Sequence, residues 1–128
     1  MDQSYLSVSV DIKGTSLTLI PYETILYLEY LRASGCVLVH TGIKDGYLPG
    51  TLKFWGNAIS GSGFITLIEA DRNIFINPEK VELLDNKLNK AYFELNPSRH
   101  SKNCTMSVER FKQVVKAMDS MGKTYKLI

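Results

Sequence analysis

An alternation of apolar and polar residues through the N-terminal third of the sequence limits the folds open to this chain. The alternation runs through residues 5–11 and again through residues 16–20. A period of two is typical of a strand with one buried face and one wet face. We therefore expect antiparallel sheets, with third and fourth strands at residues 25–30 and 36–41.

Turn residues separate these predicted strands. Lys13-Gly14 turns the chain between the first two, and residues 31–35 form a hairpin loop with Gly35 as its turn residue. Pro21 has no N–H to donate, so it ends the second strand or lies on a sheet edge. Asp45-Gly46 predicts another tight turn.

Helical spacing occurs twice in the rest of the sequence. Thr51 is the expected N-cap of a first helix, with Leu52, Trp55 and Ile59 at helical spacing, and residues 60–63 end that helix. Ser107 is the expected N-cap of the last helix, and Gly122 ends it before a short tail. One stripe of the last helix is apolar and contains Val108, Phe111, Val114, Val115 and Met118.

Short strands are expected between the two helices. They lie at residues 64–68, 73–76, 81–84 and 91–95, with a polar turn at 85–90 and a loop at 96–102. The order of elements predicts an α+β domain that is mostly β. A length of 128 residues fits one domain, so we assign residues 1–128 to a single domain.

The sequence contains no recognisable targeting segment or membrane span. Residues 1–6 carry an acid and lack the basic and apolar regions of a signal peptide. The longest apolar runs, 36–39 and 65–68, fall far short of the ~18 residues that a span needs. Cys36 and Cys104 cannot build a disulfide scaffold, so we expect buried reduced thiols, with a redox role as the alternative. Together these features favour a cytoplasmic protein.

The basic residues are concentrated at the C-terminal end. The whole chain has 15 Lys and Arg against 13 Asp and Glu, a formal net charge of +2. Residues 1–98 contain 8 basic and 11 acidic residues, whereas residues 99–128 contain 7 basic and 2 acidic residues. This asymmetry favours an anionic partner, and a helix solvated by lysines is the alternative.

Residue patterns of known catalytic or metal sites are absent from the sequence. His40 and His100 are 60 positions apart, and neither they nor the two cysteines have a metal-ligand spacing. Cys36 and His40 would lie roughly 13 Å apart along a strand, too far for proton transfer. Glu69 and Asp71 could bind a cation, although a solvated strand edge explains them as well. We expect no enzyme, no cofactor and no metal.

Six short segments, in this order, carry a family resemblance. They are residues 16–29 around PYETILYLE, the strand at 37–41, Gly50-Thr51-Leu52-Lys53, residues 67–77 (LIEADRNIFIN), residues 81–84, and Met106-Ser107-Val108-Glu109-Arg110. The set resembles the LytTR-type DNA-binding domain over residues 16–118. Residues 1–15 would then form an N-terminal strand extension and residues 119–128 a tail. The resemblance implies an elongated domain of stacked antiparallel sheets, with one or two short helices and a longer C-terminal helix.

The resemblance also implies that loops, rather than a recognition helix, enter the DNA major groove. Three segments would make the contacts: the loop after the third strand, the turn in residues 67–77, and the start of the last helix. Carried onto this chain, they contain Arg32, Ser34 and Gly35; Asp71, Arg72 and Asn73; and Ser107, Glu109 and Arg110.

Physical chemistry assigns roles to several of these residues. Arg72 can read guanine or clamp a phosphate. The polar side chains of Ser34, Asn73 and Ser107 can donate hydrogen bonds to phosphates. On the exposed flank of the last helix, Lys112 and Lys116 would neutralise backbone charge.

Three acidic residues depart from the family pattern. Glu69 and Glu109 stand where the family often has basic residues, and Asp71 stands where it usually has histidine. The leading hypothesis is a stand-alone, sequence-specific transcriptional regulator without a receiver domain, bound as a homodimer to repeated half-sites on double-stranded DNA. The alternative is a non-enzymatic protein-interaction module on the same scaffold, with weak or lost DNA binding and a regulatory protein partner.

Overall fold

The alternating N-terminal segments form the first strands of a seven-stranded sheet. The structure, a computed structural model, describes residues 4–128. Along the chain the strands are β1 (Tyr5–Ser9), β2 (Leu17–Pro21), β3 (Ile25–Leu31), β4 (Cys36–Thr41), β5 (Gly46–Pro49), β6 (Ile68–Asp71) and β7 (Ile74–Ile76). Across the sheet the order is β2-β1-β5-β4-β3-β7-β6, and every neighbouring pair is antiparallel.

Four shorter strands form a second sheet. They are β8 (Leu83–Asp85), β9 (Lys90–Tyr92), β10 (Asn103–Thr105) and β11 (Lys126–Leu127). The order across this sheet is β10-β9-β8-β11, and β11 pairs with β8 in parallel. Two helices complete the fold, α1 (Leu52–Gly61) and α2 (Val108–Ser120). The predicted α+β, mostly β class is therefore confirmed.

Two hydrophobic cores share strand β3. Because side chains alternate along a strand, Tyr27 and Leu28 enter different cores. The first core joins the inner residues of β1 to β5 with Leu52 and Ile59 of α1. The second core joins Tyr27 with the four-stranded sheet and with the buried stripe of α2, which contains Phe111, Val114 and Met118.

Most of the turns, strand ends and helix caps predicted from local sequence are present in the structure. Gly14 and Gly35 adopt positive φ, at 73° and 66°, in the two predicted turns. Pro21 ends β2, which is an edge strand. The side chain of Thr51 accepts a hydrogen bond from the Phe54 N–H at 3.2 Å and so caps α1. Residues 1–3 of the predicted strand extension lie outside the described residues.

The predicted turn at Asp45-Gly46 is wrong. Gly46 begins strand β5, and the chain turns earlier, between Gly42 and Asp45. The Thr41 side chain accepts hydrogen bonds from the N–H groups of Ile43 and Lys44, and Asp45 accepts one from the Thr41 N–H at 3.0 Å. These side-chain bonds form the turn, which leaves Gly46 free to pair with Val39.

The predicted strand at residues 64–68 is also wrong, since β6 begins only at Ile68. Residues 64–67 form an irregular segment whose apolar side chains Ile65 and Leu67 pack on the first core. The Ser60 hydroxyl accepts a hydrogen bond from the Leu67 N–H at 2.9 Å and donates one to the Leu67 carbonyl at 3.3 Å. One side chain therefore satisfies backbone groups that a strand partner would otherwise bind.

The second sheet differs from expectation in its boundaries. The strand predicted at 91–95 is β9 and ends at Tyr92, and the one predicted at 81–84 is β8 and begins at Leu83. Strands β10 and β11 were not predicted. The tail after Gly122 is anchored by β11, where the Lys126 N–H donates to the Glu82 carbonyl at 2.9 Å.

Both cysteines are free and buried, as predicted for reduced thiols. Burial raises the pKa of the Cys104 thiol well above its ordinary value, which disfavours the reactive thiolate. Among residues 4–128, no helix is long and apolar enough to cross a membrane.

His40 links the two sheets. Its ring stacks on Tyr27 at 4.0 Å between centroids, and Tyr27 in turn stacks on Phe93 at 5.5 Å. The Nε2 atom lies 2.8 Å from the Glu29 carboxylate, so the neutral ring carries its proton on Nε2 and donates it there. The Nδ1 atom is buried without a hydrogen-bond partner, 3.8 Å from Asp45.

Glycine is required at position 46 by packing. An added Cβ would lie 2.1 Å from Val8 Cγ2. We therefore expect Gly46→Ala to lower the free energy of unfolding by about 1–3 kcal/mol through overpacking, as measured by urea denaturation. Gly42→Ala is the matched control because nothing lies within 4 Å of its added Cβ. Equal stability of the two variants would contradict this account.

The burial of His40 predicts a pH-dependent stability. Burial lowers the pKa of His40 below its ordinary value of 6.5 and outweighs the hydrogen bond that His40 donates to Glu29, which favours the charged ring. Between 6.5 and the lower folded pKa the unfolded chain binds more protons, so stability falls as pH decreases through that window. We expect the melting temperature to decrease between about pH 7.5 and about pH 5.5.

A matched pair of variants assigns this pH dependence to its source. His40→Gln should weaken the change in melting temperature, whereas His100→Gln, which removes an imidazole from an exposed loop, should leave it as in the wild type. Asp45 does not contribute to the change in stability over this pH range. Partial burial raises its pKa, but the hydrogen bonds from Lys102 and from the Thr41 N–H together hold that pKa below 3.8. An unchanged pH dependence in His40→Gln would refute the assignment.

Candidate nucleic-acid interface

Two of the three expected contact segments lie side by side at one end of the seven-stranded sheet. Strand β3 ends in the loop at residues 32–35, which is closed by a hydrogen bond from the Gly35 N–H to the Leu31 carbonyl at 2.8 Å. The β6–β7 turn is adjacent to the end of β3, because the Tyr30 N–H donates to the Asn73 carbonyl at 2.8 Å. The pairing of β3 with β7 therefore places Arg32 and Arg72 in neighbouring loops.

The β6–β7 turn is stabilised by Asp71. Its carboxylate accepts a hydrogen bond from the Asn73 N–H at 3.0 Å, the geometry of an Asx turn. Arg72 lies at the tip of this turn and is exposed. Among the described residues, neither Arg72 nor Arg32 forms an ion pair, so both guanidinium groups are available to a ligand.

The start of α2 is the third segment, and it is attached to the same hairpin. The Ser107 hydroxyl accepts a hydrogen bond from the Arg110 N–H at 3.2 Å, which confirms the predicted N-cap. The Arg110 guanidinium donates to the Glu69 carboxylate at 2.9 Å and to Gln113 Oε1 at 3.4 Å. Because Glu69 belongs to β6, this ion pair places the N-terminus of α2 beside the β6–β7 turn.

We call this set of residues the contact surface: residues 32–35, 71–73 and 107–110, with Lys112 and Lys116. The two lysines are exposed one turn apart on α2, where they share a face. Arg110 is half-buried and already paired with an acid, so it contributes less positive charge than the sequence suggests. Its partner Glu69 lies 41 residues away, and no local sequence pattern indicates the pair.

The three acidic residues that depart from the family pattern lie in different environments. Asp71 is bonded within its own turn, and Glu69 is paired with Arg110. Glu109 is exposed in the first turn of α2, where an acid interacts favourably with the helix dipole. Two of the three carboxylates therefore have structural partners inside the contact surface, and Glu109 alone is exposed.

The other candidate residues do not combine into a site. Cys36 and His40 lie at opposite ends of β4, and the Nε2 atom of His40 is bonded to Glu29 rather than directed at a thiol. Glu69 is paired with a guanidinium instead of facing an open cation position. Within residues 4–128, no group of three or more His, Cys, Asp or Glu side chains is placed to hold a metal ion.

Comparison with known proteins finds similarity in structure and none in sequence. No protein-family model matches the chain, and no curated protein matches it. Among solved structures, a LytTr DNA-binding domain from Bacillus cereus matches with a TM-score of 0.63 and 11% sequence identity. The match covers 89% of this chain and 98% of that domain. The resemblance inferred from the six sequence segments is therefore confirmed at the level of structure: the chain has the fold of a LytTR-type DNA-binding domain.

Proposed function

We propose that this protein binds double-stranded DNA through the contact surface, with its loops in the major groove. The observation that supports this most directly is the convergence of three segments, distant in sequence, at one end of the sheet. They bring together the exposed and unpaired side chains of Arg32 and Arg72. Free guanidinium groups on ordered turns suit the recognition of guanine edges and phosphates.

Each part of the contact surface has a distinct role in this proposal. Arg72, at the tip of a turn fixed by an Asx hydrogen bond, reads a base or clamps a phosphate. The polar groups of Ser34, Asn73 and Ser107 hold the phosphate backbone and fix the register. The exposed pair Lys112 and Lys116 supplies charge that makes binding dependent on salt.

We further propose that binding is sequence-specific and serves transcription regulation. The LytTr neighbour is a DNA-binding domain by its description, and its fold covers most of this chain. The protein would act in the cytoplasm and would bind repeated half-sites as a homodimer.

Arg72 provides the sharpest test of the DNA proposal. Sequences selected from a random DNA pool at two salt concentrations would define a binding site. On that site we expect Arg72→Ala to weaken binding by ~1–3 kcal/mol, because a bidentate contact to a base is lost. Arg72→Lys should recover most of the affinity if the contact is to a phosphate, and little of it if the contact is to guanine.

Lys44→Ala is the control for Arg72→Ala. Lys44 follows the far end of β4 from the loop at residues 32–35, and its Nζ donates to Thr18 Oγ1 at 2.7 Å. Its loss should leave DNA affinity close to that of the wild type. Unchanged affinity in Arg72→Ala would refute the assignment of Arg72, and the absence of any enriched sequence at either salt concentration would refute specific DNA binding.

The Glu69–Arg110 pair yields a second prediction. Removing the carboxylate charge with Glu69→Gln should free Arg110 and reduce repulsion of phosphates. We expect tighter DNA binding and a log–log salt slope steeper by about 0.9, the value for one additional phosphate contact. The pair is more than one-third exposed, so protein stability should change by less than about 1 kcal/mol.

Glu79→Gln is the charge-matched control for Glu69→Gln. Glu79 is exposed in the short 3-10 helix Pro78–Lys80, beyond the end of β7 that lies away from the contact surface. It should alter the salt slope little. An identical slope for Glu69→Gln and the wild type would show that Arg110 does not face the DNA backbone.

The interaction-module alternative predicts a different result. A protein partner would use the acids of the contact surface, of which Glu109 is exposed and unpaired among the described residues. In that case no DNA sequence is enriched, and Glu69→Gln does not create salt-dependent binding.

A further inference from the structure

The β6–β7 hairpin has only two residues in its loop. Asp71 pairs with Ile74, so Arg72 and Asn73 lie between the paired strands. Two-residue hairpin loops favour type I′ and II′ turns, which need a positive φ at the first loop residue. That residue is Arg72, whose Cβ disfavours this conformation, and neither loop residue has a positive φ in the structure. The hairpin therefore uses a turn whose backbone alone does not match the twist of its strands.

Two features compensate for this mismatch. The first is a β-bulge, in which Ala70 is an extra residue of β6 without a partner on β7. A bulge increases the local twist of the strand that contains it. The second is the Asp71 carboxylate, which accepts a hydrogen bond from the Asn73 N–H at 3.0 Å. An acid is favoured at the first position of a type I turn because its side chain can accept this bond.

Both backbone groups of Asn73 are held. Its N–H is bonded to Asp71, and its carbonyl accepts a hydrogen bond from the Tyr30 N–H at 2.8 Å. The bond from Tyr30 attaches the loop to strand β3, whereas the bond to Asp71 fixes the conformation within the loop. Arg72 lies between the acceptor and the donor of that second bond. The direction in which Arg72 leaves the turn therefore depends on Asp71.

We propose that Asp71 is a positioning residue for Arg72 in DNA recognition. This proposal rests on the proposed binding of DNA through the contact surface. While the turn is formed, the exposed Arg72 starts from one backbone conformation, so less conformational entropy is lost when it binds a base. Without the bond, only a fraction of the molecules would present Arg72 correctly, and the apparent affinity would fall by that fraction. Asp71 acts through Arg72 and does not itself contact a base.

This role accounts for an acidic residue on a surface that binds an anion. The turn requires a hydrogen-bond acceptor at position 71, and the carboxylate provides one. Its charge also repels phosphates, which costs some affinity. An asparagine would provide the same acceptor without the charge. Asp71→Asn therefore separates the contribution of the turn from that of the charge.

A comparison of Asp71→Ala with Asp71→Asn tests the positioning role. Both variants lack the negative charge, and only Asp71→Asn retains an acceptor for the Asn73 N–H. On the DNA site selected by the wild type, we expect Asp71→Ala to bind roughly three- to tenfold more weakly than Asp71→Asn, the range for one hydrogen bond. Asp71→Asn should bind at least as tightly as the wild type and should keep its base preference.

Double variants show whether the effect passes through Arg72. In an Arg72→Ala background the difference in DNA affinity between Asp71→Ala and Asp71→Asn should disappear, because no guanidinium remains to be positioned. A difference that persists in this background would show that Asp71 acts on the fold or on another contact. That result would overturn the proposal.

Ser98→Ala is the control for the loss of a turn bond elsewhere. The Ser98 hydroxyl accepts a hydrogen bond from the His100 N–H at 3.2 Å, which is also two residues further along the chain. Lys102 attaches the same loop to Asp45, which follows the end of β4 that lies away from the contact surface. Ser98→Ala should leave DNA affinity close to that of the wild type. Thermal melts establish that each variant is folded.

Amide hydrogen exchange measures the turn without DNA. The Asn73 N–H should exchange faster in Asp71→Ala than in the wild type, and Asp71→Asn should restore slower exchange. Equal exchange rates in the three proteins would contradict the role of the bond. A changed base preference in Asp71→Asn would show that residue 71 reads a base itself, which also overturns the proposal.

The DNA measurements separate failure of the positioning role from failure of the proposed function. If the wild type selects no DNA sequence, the proposed function fails and the positioning role fails with it. If the wild type binds its selected site and Asp71→Ala binds as tightly as Asp71→Asn, only the positioning role is refuted.

Discussion

The pairing of β3 with its neighbours β4 and β7 is the constraint on which the rest of the structure depends. Its register puts Tyr27 opposite His40 and Leu28 opposite Val39, so consecutive residues face different cores. A slip by one residue would exchange those faces and expose both cores. The same strand, through the Tyr30–Asn73 hydrogen bond, brings the two arginine-bearing loops together. Stability and the proposed function therefore depend on one register.

Sequence reasoning succeeded where structure depends on neighbouring residues. Gly35 and Ser107 need only their own backbone geometry and the next few N–H groups, so their roles were predicted correctly. It failed where structure depends on distant partners. Strands β10 and β11 have three and two residues, too few to show an alternation of apolar and polar residues. They are strands because they pair with β9 and β8. The contact surface follows the same rule, because its segments were identified through the family resemblance and its Glu69–Arg110 pair was not.

Net charge describes this molecule poorly, whereas the placement of charge is informative. The formal +2 conceals a contact surface in which Arg32 and Arg72 are free and Arg110 is paired. Asp71 and Glu69 are bonded to partners within the fold, so they oppose an anion less than free carboxylates would. The contact surface therefore suits an anion although the chain as a whole is close to neutral.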